Sequence, residues 1–548
     1  MAASKLEQAL KRNPHLNKYL ASYYAKTKKR PVFKESLTRD LYDPEGFDYL
    51  YPVGDPIFIH VYGSNREGFF YRAIEPMLTP EEEEKKKKLL NIMFIKAGYE
   101  PSYRTKEEFN ALLDKLIKES TEIIEEGERE PPPSSFAALK KVYLTKKQLK
   151  NIRYHIKRDI LENGLLEPLL RDGYIEDIHC IGLESFFVIH KVFKTLETNI
   201  RFRSLKEAEE YLRGMSERIG KPVSMARPII DSALPDGSRL NLIFADDISV
   251  KGPSFTIRKF TGEPLSVTQL IKWGTMNAEV AAYLWLALEN GMSVFVCGET
   301  ASGKTTTLNA ILPFIRYNSK IYSVEDTAEV LPPHRIWQRL LTRETGPEES
   351  RVDYFTLLKA ALRSRPNYII AGEIRGREGA VAFQAMQTGH PVISTFHAAD
   401  VVKMIQRFTG DPINVPIRFM DNLNIAVFQQ AVYRRGKVLR RVVSISEILG
   451  YSKELGGVLT KQVFVWEPTT DKHRFRGRNN SYILENKIAL MQGLPDKRQI
   501  YKEMDLRAEI LQKMVDHGIL AHKDVVKIIW DFQRYGVEAL PFALETSV

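Results

Sequence analysis

The stretch that most constrains this chain is "FVCGETASGKTTTLNAIL", residues 295–312. It contains the complete pattern G-x-x-x-x-G-K-[ST], from Gly298 to Thr305, between an apolar run that predicts a strand and a segment that predicts a helix. Such a turn presents backbone amides and a helix N-terminus to the oxygens of a phosphate group. The sequence therefore predicts an α/β domain with a phosphate-binding loop.

Each part of the loop has an expected task. Gly303 allows the backbone to curl around phosphate oxygens, Lys304 reaches the β- and γ-phosphates of ATP, and Thr305 offers a hydroxyl to Mg²⁺. The expected nucleotide-binding residues form one run: Gly298, Glu299, Thr300, Ala301, Ser302, Gly303, Lys304, Thr305 and Thr306.

Three further apolar runs deliver polar residues at their carboxyl ends. "KIYSV" leads into Glu325, "NYIIAG" into Glu373 and "HPVIST" into His397. In an open parallel sheet, ligands bind at that edge. We expect Glu373 to orient the attacking water, Glu325 to support the water shell of the metal, and His397 to sense the γ-phosphate.

Composition excludes several classes of protein. The two cysteines, Cys180 and Cys297, are far apart in the sequence and do not form a CxxC pair, which argues against a disulfide framework and a cysteine-rich zinc module. Neither a signal peptide nor a run of about 18 apolar residues stands out, so we expect a cytoplasmic protein. The formal charge of +11 attracts phosphate backbones, anionic lipid or acidic proteins without choosing among them.

With 548 residues the chain is long enough for two or three domains. The proline-rich run "EGEREPPPSS" predicts a hinge at 126–135, and "FTGEPLS" predicts a second boundary at 260–266. We predict three regions. Residues 1–130 form an N-terminal accessory region that is helical with a basic start, and residues 136–260 form an α+β domain. Residues 264–548 form an α/β domain that ends in a helical extension.

Two N-terminal segments carry further expectations. Residues 79–88, "TPEEEEKKKK", predict a helix that is capped by Thr79 and stabilised by Glu–Lys pairs four residues apart. The basic segment from Lys5 to Arg30 leaves two interpretations open. It is either a solvated helix and tail, or a segment that docks on an acidic partner or a membrane-proximal surface.

Taken as a set, the motifs resemble those of the type II/type IV secretion ATPase superfamily. The set comprises "GETASGKTT", the acidic box "IYSVEDTAEV", the Walker B segment "IIAGEIRG" and the histidine box "GHPVISTFHAAD". Upstream, "SMARPIIDSALPDGSRLNLIF" and "SFTIRKF" resemble the archaeal branch that drives archaellum and type IV pilus-like assembly. The resemblance covers residues from about 140 to 450.

This resemblance implies a RecA-like C-terminal domain preceded by an α+β domain, and a hexameric ring of identical subunits. By motif match, Arg239 and Arg258 fall where the family places catalytic arginines, which would act as arginine fingers in the same or the next subunit. It also implies a Mg²⁺-dependent ATPase at the cytoplasmic face of the membrane. Its expected partners are a polytopic platform protein and accessory ring proteins, with membrane-surface contact left open.

Archaellum assembly and rotation form the leading functional hypothesis, and three alternatives stay open. The first is a pilus-assembly or conjugation-type secretion motor. A nucleic-acid translocase would interleave aromatic and basic residues along a groove, and because no such cluster stands out, nucleic acid is not an expected partner. A nucleotide-binding scaffold without turnover is argued against by the presence of both Lys304 and Glu373. One departure is clear: bacterial type II secretion relatives commonly carry a tetracysteine zinc module, which a chain with two cysteines cannot form.

Overall fold

The computed structural model describes residues 5–37, 41–98, 103, 105–128, 141–244, 247–260, 262–343, 351–434 and 437–544. The chain divides into two compact units, Met1–Phe260 and Thr261–Val548. Most of the predicted proline-rich hinge lies outside the described residues. Within the described ranges, no helix has both the length and the apolar character that a bilayer span requires.

The N-terminal unit is a mixed α and β structure. Its helices are α1 (Lys5–Arg12), α2 (Pro14–Thr27), α3 (Pro80–Ala97), α4 (Lys106–Ser120), α5 (Lys146–Ile160), α6 (Glu167–Arg171) and α7 (Leu205–Arg218). Its strands are β1 (Val32–Phe33), β2 (Phe47–Pro52), β3 (Phe58–Ser64), β4 (Gly68–Ile74), β5 (Thr121–Ile123), β6 (Val142–Leu144), β7 (Ile175–Ile181), β8 (Phe187–His190), β9 (Lys194–Thr198), β10 (Ile229–Ala233), β11 (Arg239–Ile243) and β12 (Ser254–Arg258).

Ten of these strands form one sheet in the order β1-β2-β3-β4-β9-β8-β7-β12-β11-β10. Strand β4 joins β9 in parallel, with Phe70 opposite Glu197, so strands β1 to β4 share a sheet with strands of the predicted α+β domain. The expectation of a helical accessory region is therefore wrong for residues 47–74. Those residues are rich in aromatic and β-branched side chains, which favour strands. The division near residue 130 remains a prediction from sequence.

Helix α3 forms as predicted. The Thr79 side chain accepts a hydrogen bond from the Glu82 amide, and the Glu82 carboxylate accepts one from the Thr79 amide, which completes a capping box. Lys85 and Lys88 pair with glutamates four residues earlier. The charged run "EEEEKKKK" is therefore an ordered helix.

The basic N-terminal segment packs on the sheet. Leu16 of α2 is fully buried, in a cluster with Leu50, Phe58 and Ile74 of the strands. The Tyr19 hydroxyl lies 2.8 Å from Nδ1 of the buried His60 and forms a hydrogen bond with it. The interpretation as a solvated tail is thus wrong for α1 and α2, because their apolar sides complete a core.

The C-terminal unit contains the phosphate-loop motif. Its helices are α8 (Val267–Lys272), α9 (Ala278–Glu289), α10 (Lys304–Ile311), α11 (Tyr354–Ser364), α12 (Glu378–Gln387), α13 (Val401–Thr409), α14 (Ala489–Met491), α15 (Ile500–Asp516) and α16 (His522–Tyr535). Its strands are β13 (Val294–Gly298), β14 (Ile321–Glu325), β15 (Trp337–Leu341), β16 (Tyr368–Ile374), β17 (Val392–Phe396), β18 (Ile425–Arg434), β19 (Lys437–Ser452), β20 (Gly457–Glu467) and β21 (Lys472–Phe475).

These strands form a nine-stranded sheet in the order β15-β14-β16-β17-β13-β18-β19-β20-β21. The first six are parallel, and the last three extend the sheet as antiparallel hairpins. Parallel strands carry helices on both faces, and two apolar clusters are built around this sheet. The predicted α/β class is confirmed.

The C-terminal helices belong to the core of this unit. Helix α9, apolar on every side, is buried, as such helices are. It shares a cluster with Met504 and Ile510 of α15 and Ile529 of α16. The helical extension therefore covers one face of the α/β unit.

The docking of α2 generates a stability prediction. Leu16→Ala should lower the free energy of unfolding of the N-terminal unit by about 2–5 kcal/mol, because it removes a buried side chain and leaves a cavity. Urea unfolding of the full chain measures the change, with Lys18→Ala, at an exposed position on the same helix, as the control. Equal unfolding curves for the two variants would show that α2 contributes nothing to the folded unit.

Candidate functional site

The phosphate-loop motif forms the expected strand, turn and helix. Strand β13 is buried along its length, and Gly303 caps α10 with φ of 93°, in the left-handed region that glycine adopts readily. A Cβ atom at Gly303 would lie 2.9 Å from Nε2 of Gln429, and one at Gly298 would lie 2.2 Å from the Gln429 carbonyl oxygen. Both glycines are therefore required by the close approach of the loop to β18.

Lys304 begins the helix with its side chain largely buried, at 8% exposure. Its ammonium donates a hydrogen bond of 3.0 Å to the carbonyl oxygen of Glu299, within the loop itself. Burial lowers the pKa of Lys304, and the carboxylate of Glu373 acts in the opposite direction. The lysine is thus held at the loop, within the electrostatic influence of an acidic residue from another strand.

Two residues that the sequence did not reveal hold the loop in place. The buried Gln429 accepts a hydrogen bond from the Thr307 hydroxyl at 2.7 Å and donates one to the Ser302 carbonyl at 2.8 Å. Arg440 of β19 donates from Nε to the Ala301 carbonyl at 3.1 Å. Both lie more than 120 positions after the motif, and the only available signal was a glutamine pair that interrupts the apolar run "IAVFQQAV".

The carboxyl ends of the parallel strands bring Glu373 and His397 together. In the pairing of β16 with β17, a register shift between Ala371 and Glu373 places Glu373 opposite Thr395, two residues before His397. His397 Nε2 lies 2.5 Å from Glu373 Oε1. This contact lacks hydrogen-bond geometry, so Oε1 has no hydrogen-bond partner among the described residues. An ion pair with Arg375 engages the other oxygen.

The electrostatic environment favours the neutral form of His397. Partial burial is the largest cause that lowers its pKa, and the charge of Lys304 lowers it further, while Glu373 opposes both. A neutral imidazole retains one nitrogen that accepts a hydrogen bond and one that donates. Lys304, Glu373 and His397 therefore influence one another at a single edge of the sheet.

Glu325 has a different environment. The side chain is 1% exposed, and Oε1 accepts hydrogen bonds from the backbone amides of Glu329 at 2.7 Å and Val330 at 2.6 Å. Oε2 accepts one from Arg339 at 3.1 Å. Burial raises the pKa of Glu325, and the charge of Arg339 opposes this. The carboxylate therefore organises the loop after β14, and its support of the water shell of a metal stays a prediction.

The residues at the loop suit Mg²⁺. Thr305, at the second position of α10, is half-buried, and its hydroxyl makes no hydrogen bond to any described residue. Magnesium in phosphate sites keeps several waters and takes few protein ligands, together with phosphate oxygens. In the described residues, no group of three acidic, histidine or cysteine side chains forms a separate metal cage. The Thr305 hydroxyl is thus a protein ligand of the kind that Mg²⁺ uses at a phosphate site.

The predicted arginines lie in the N-terminal unit. Arg239 and Arg258 face each other directly on neighbouring antiparallel strands β11 and β12. Arg239 pairs with Asp231, with Nη2 and Oδ2 2.8 Å apart, and Arg258 pairs with Asp177, with Nε and Oδ1 3.3 Å apart. Two like charges at directly opposed positions destabilise a sheet unless anionic groups compensate them. The two aspartates supply that compensation here.

The chain is similar to one described protein family and to several individual proteins. The sequence profile of the type II/IV secretion system protein family matches residues 162–432. MJ0900, an uncharacterized protein of Methanocaldococcus jannaschii, is 56% identical over 547 residues, which cover 99% of each chain. Conjugal transfer protein TrbB of Rhizobium radiobacter is 30% identical over 251 residues, covering 44% of this chain and 75% of TrbB. Among solved structures, the ATPase DotB of Legionella pneumophila aligns with 17% identity and a TM-score of 0.37, over 67% of this chain and 94% of DotB.

The contacts of Gln429 generate a prediction about the loop. Gln429→Ala should weaken the binding of a fluorescent ADP analogue by about 5- to 150-fold, because the loss of a buried hydrogen-bond partner costs about 1–3 kcal/mol. Gln430→Ala is the matched control, since Gln430 is the next residue of β18 and makes no hydrogen bond through its side chain to a described residue. Fluorescence anisotropy measures both affinities. Equal affinities for the two variants would show that Gln429 does not support the loop.

Proposed function

Because the chain belongs to the type II/IV secretion system protein family, we propose that it is a Mg²⁺-dependent, ATP-hydrolysing motor of that family. The observation that carries this proposal is the edge of the C-terminal sheet. There the phosphate loop of β13 lies in the same parallel sheet as β16 and β17, which supply Glu373 and His397. A nucleotide-binding scaffold would not need a carboxylate at this position.

The proposed hydrolysis divides the work among the side chains. The amides of the loop and Lys304 hold the phosphates, and Thr305 contributes to the Mg²⁺ site. When bound, the metal would neutralise charge that develops on the phosphates. Glu373 has one oxygen without a hydrogen-bond partner among the described residues, and that oxygen would accept a proton from the attacking water. His397, beside it, would donate to a phosphate oxygen.

In the proposed assembly six copies of the chain form a ring. Arg239 and Arg258 are 40% and 66% exposed, so both guanidinium groups are accessible. On this proposal they leave Asp231 and Asp177 to neutralise the transferred phosphoryl group bound by the same or the next subunit. An arginine can exchange one anionic partner for another because its charge is permanent.

We further propose that the motor acts at the cytoplasmic face of the membrane and powers archaellum assembly and rotation. Its partners would be a polytopic platform protein and accessory ring proteins. The similarity of the whole chain to a protein of an archaeon supports this choice over a bacterial secretion system. Co-purification of a tagged chain from its own cells, followed by mass spectrometry, tests it. Archaellum components are the expected partners, and pilus components alone would contradict the proposal.

One specific observation supports a second function. TrbB of Rhizobium radiobacter, described as a conjugal transfer protein, is 30% identical over 251 residues. A conjugation-type secretion motor would have the same nucleotide chemistry with a different partner. In the co-purification, recovery of a relaxase would favour this alternative.

The role of Glu373 generates a prediction about turnover. Glu373→Gln should bind ATP with an affinity close to that of the unaltered chain but hydrolyse it about 10²–10⁴ times more slowly, because the amide cannot accept a proton from water. Phosphate release and anisotropy measure the two quantities. Glu454→Gln, at an exposed turn of the same unit, is the control. Parallel loss of affinity and turnover would mean that Glu373 serves binding instead of hydrolysis.

The ring proposal generates a prediction about assembly. With Mg²⁺ and a non-hydrolysable ATP analogue, sedimentation should detect a species of six times the 63.0 kDa chain mass. The variant Arg239→Ala/Arg258→Ala should remain smaller under the same conditions, because it lacks the charges that bind phosphate across the interface. A hexamer that forms equally in both proteins would remove the arginines from the interface. A single monomeric species in every nucleotide state would contradict the ring itself.

A further inference from the structure

A large cleft lies within the N-terminal unit, apart from the phosphate loop. Its volume is about 2230 Å³, and its walls come from α2, α3, α5, α7, the segment after β4 and the loop after β5. Two sides of the cleft are joined, because Lys150 of α5 donates a hydrogen bond of 3.0 Å to the carbonyl of Arg12, the last residue of α1. The cleft therefore belongs to one folded unit.

Most acidic side chains that line this cleft already have a partner. Glu81 pairs with Lys85 at 2.9 Å, and Glu83 pairs with Arg203 at 3.7 Å. Glu75 and Asp159 share Arg158. Glu82 is buried in the capping box of α3. These carboxylates cannot neutralise the remaining cations of the cleft.

Seven exposed cations of the lining make no ion pair within the described ranges: Lys18, Lys87, Lys146, Lys147, Lys150, Arg201 and Arg218. Two of the seven, Lys150 and Arg218, donate hydrogen bonds to backbone carbonyls only. Only three acidic residues of the lining are equally exposed and without an ion pair in the described chain: Glu125, Glu126 and Glu128. The cleft therefore carries an excess of uncompensated positive charge.

Two histidines of the lining lie close to cations of the cleft. Burial is the largest cause that lowers the pKa of His155 to about 4, and the charge of Arg158 lowers it further. For His15, burial again lowers the pKa most, and the charge of Lys150 adds to it. A neighbouring cation disfavours protonation of each ring. Asp159 and Asp55 act in the opposite direction on His155 and His15 respectively, so the two rings show only that Arg158 and Lys150 lie close to them.

The shape and lining of the cleft restrict what can occupy it. Three half-buried tyrosines line it, and their hydroxyls bond to His60, Glu75 and the Asn163 carbonyl. None of the three is an exposed aromatic side chain, whereas single-stranded nucleic acid stacks its bases on such side chains, which favours a different occupant. A flat bilayer cannot enter a concave site, whereas a polypeptide can.

We propose that this cleft is a docking site for an acidic polypeptide segment of a partner protein. Carboxylates of that segment pair with Lys18 on one wall and with Lys146 and Lys147 on the other. Charge complementarity of this kind speeds association and selects the partner. The proposal does not rest on ATP hydrolysis, since the cleft and the phosphate loop lie in different units.

The experiment uses the full chain and a fluorescein-labelled peptide of alternating glutamate and glycine. The variant Lys146→Glu/Lys147→Glu should weaken peptide binding about tenfold or more, and Lys18→Glu should weaken it from the opposite wall. Glutamate in the first turn of α5 suits the helix dipole, so the double variant should fold. The control Arg66→Glu/Lys118→Glu makes the same change in net charge at exposed positions outside the cleft, and it should bind the peptide nearly as the unaltered chain does.

Two competing probes identify the occupant. Vesicles with one third anionic phospholipid and a thymidine oligonucleotide of matched charge are tested against the same variants. Equal weakening of peptide binding by the cleft and control variants, or no peptide binding at all, would overturn the proposal. Loss of vesicle or oligonucleotide binding specific to the cleft variants, with peptide binding unchanged, would replace the peptide with that ligand. Unchanged ATP turnover in each variant shows that the nucleotide site is intact.

Discussion

The close approach of the phosphate loop to strand β18 is the constraint on which the C-terminal unit depends. Gly298 lies opposite Gln429 in the parallel pairing of β13 with β18, and there is no room for a side chain at either glycine of the motif. The amide of Gln429 then bonds to both the loop and the first helix turn. The loop conformation is thus set by the sheet that supports it.

The same sheet gathers the chemical groups at one edge. Because β13, β16 and β17 are parallel, their carboxyl ends meet, and Lys304, Glu373 and His397 come within electrostatic reach of one another. Burial and the charge of Lys304 lower the pKa of His397 against the opposing charge of Glu373. One carboxylate oxygen of Glu373 makes no hydrogen bond to a described residue. Glu325 follows the same strand pattern, yet its carboxylate serves the loop that follows β14.

The sequence predicted those features that short motifs encode. The strand and helix around the motif, the strands that lead to Glu373 and His397, and the capped helix at Thr79 are all confirmed. The strands at 47–74 were not predicted, although their aromatic and β-branched side chains favour strands, because the helical character of the basic start was extended to the whole N-terminal region. Gln429 and Arg440 were missed because their contacts depend on the pairing of strands distant in sequence. The catalytic roles of the site residues stay predictions.

Phosphate release from ATP by the full chain and by Lys304→Ala is the measurement that tests the central claim most directly. The account predicts Mg²⁺-dependent release by the unaltered chain, and none above background by the variant. The variant loses the one cation that the loop supplies to the phosphates. Release at equal rates by both proteins would contradict the assignment of this sheet edge as the site of hydrolysis, and so would the absence of release from the unaltered chain.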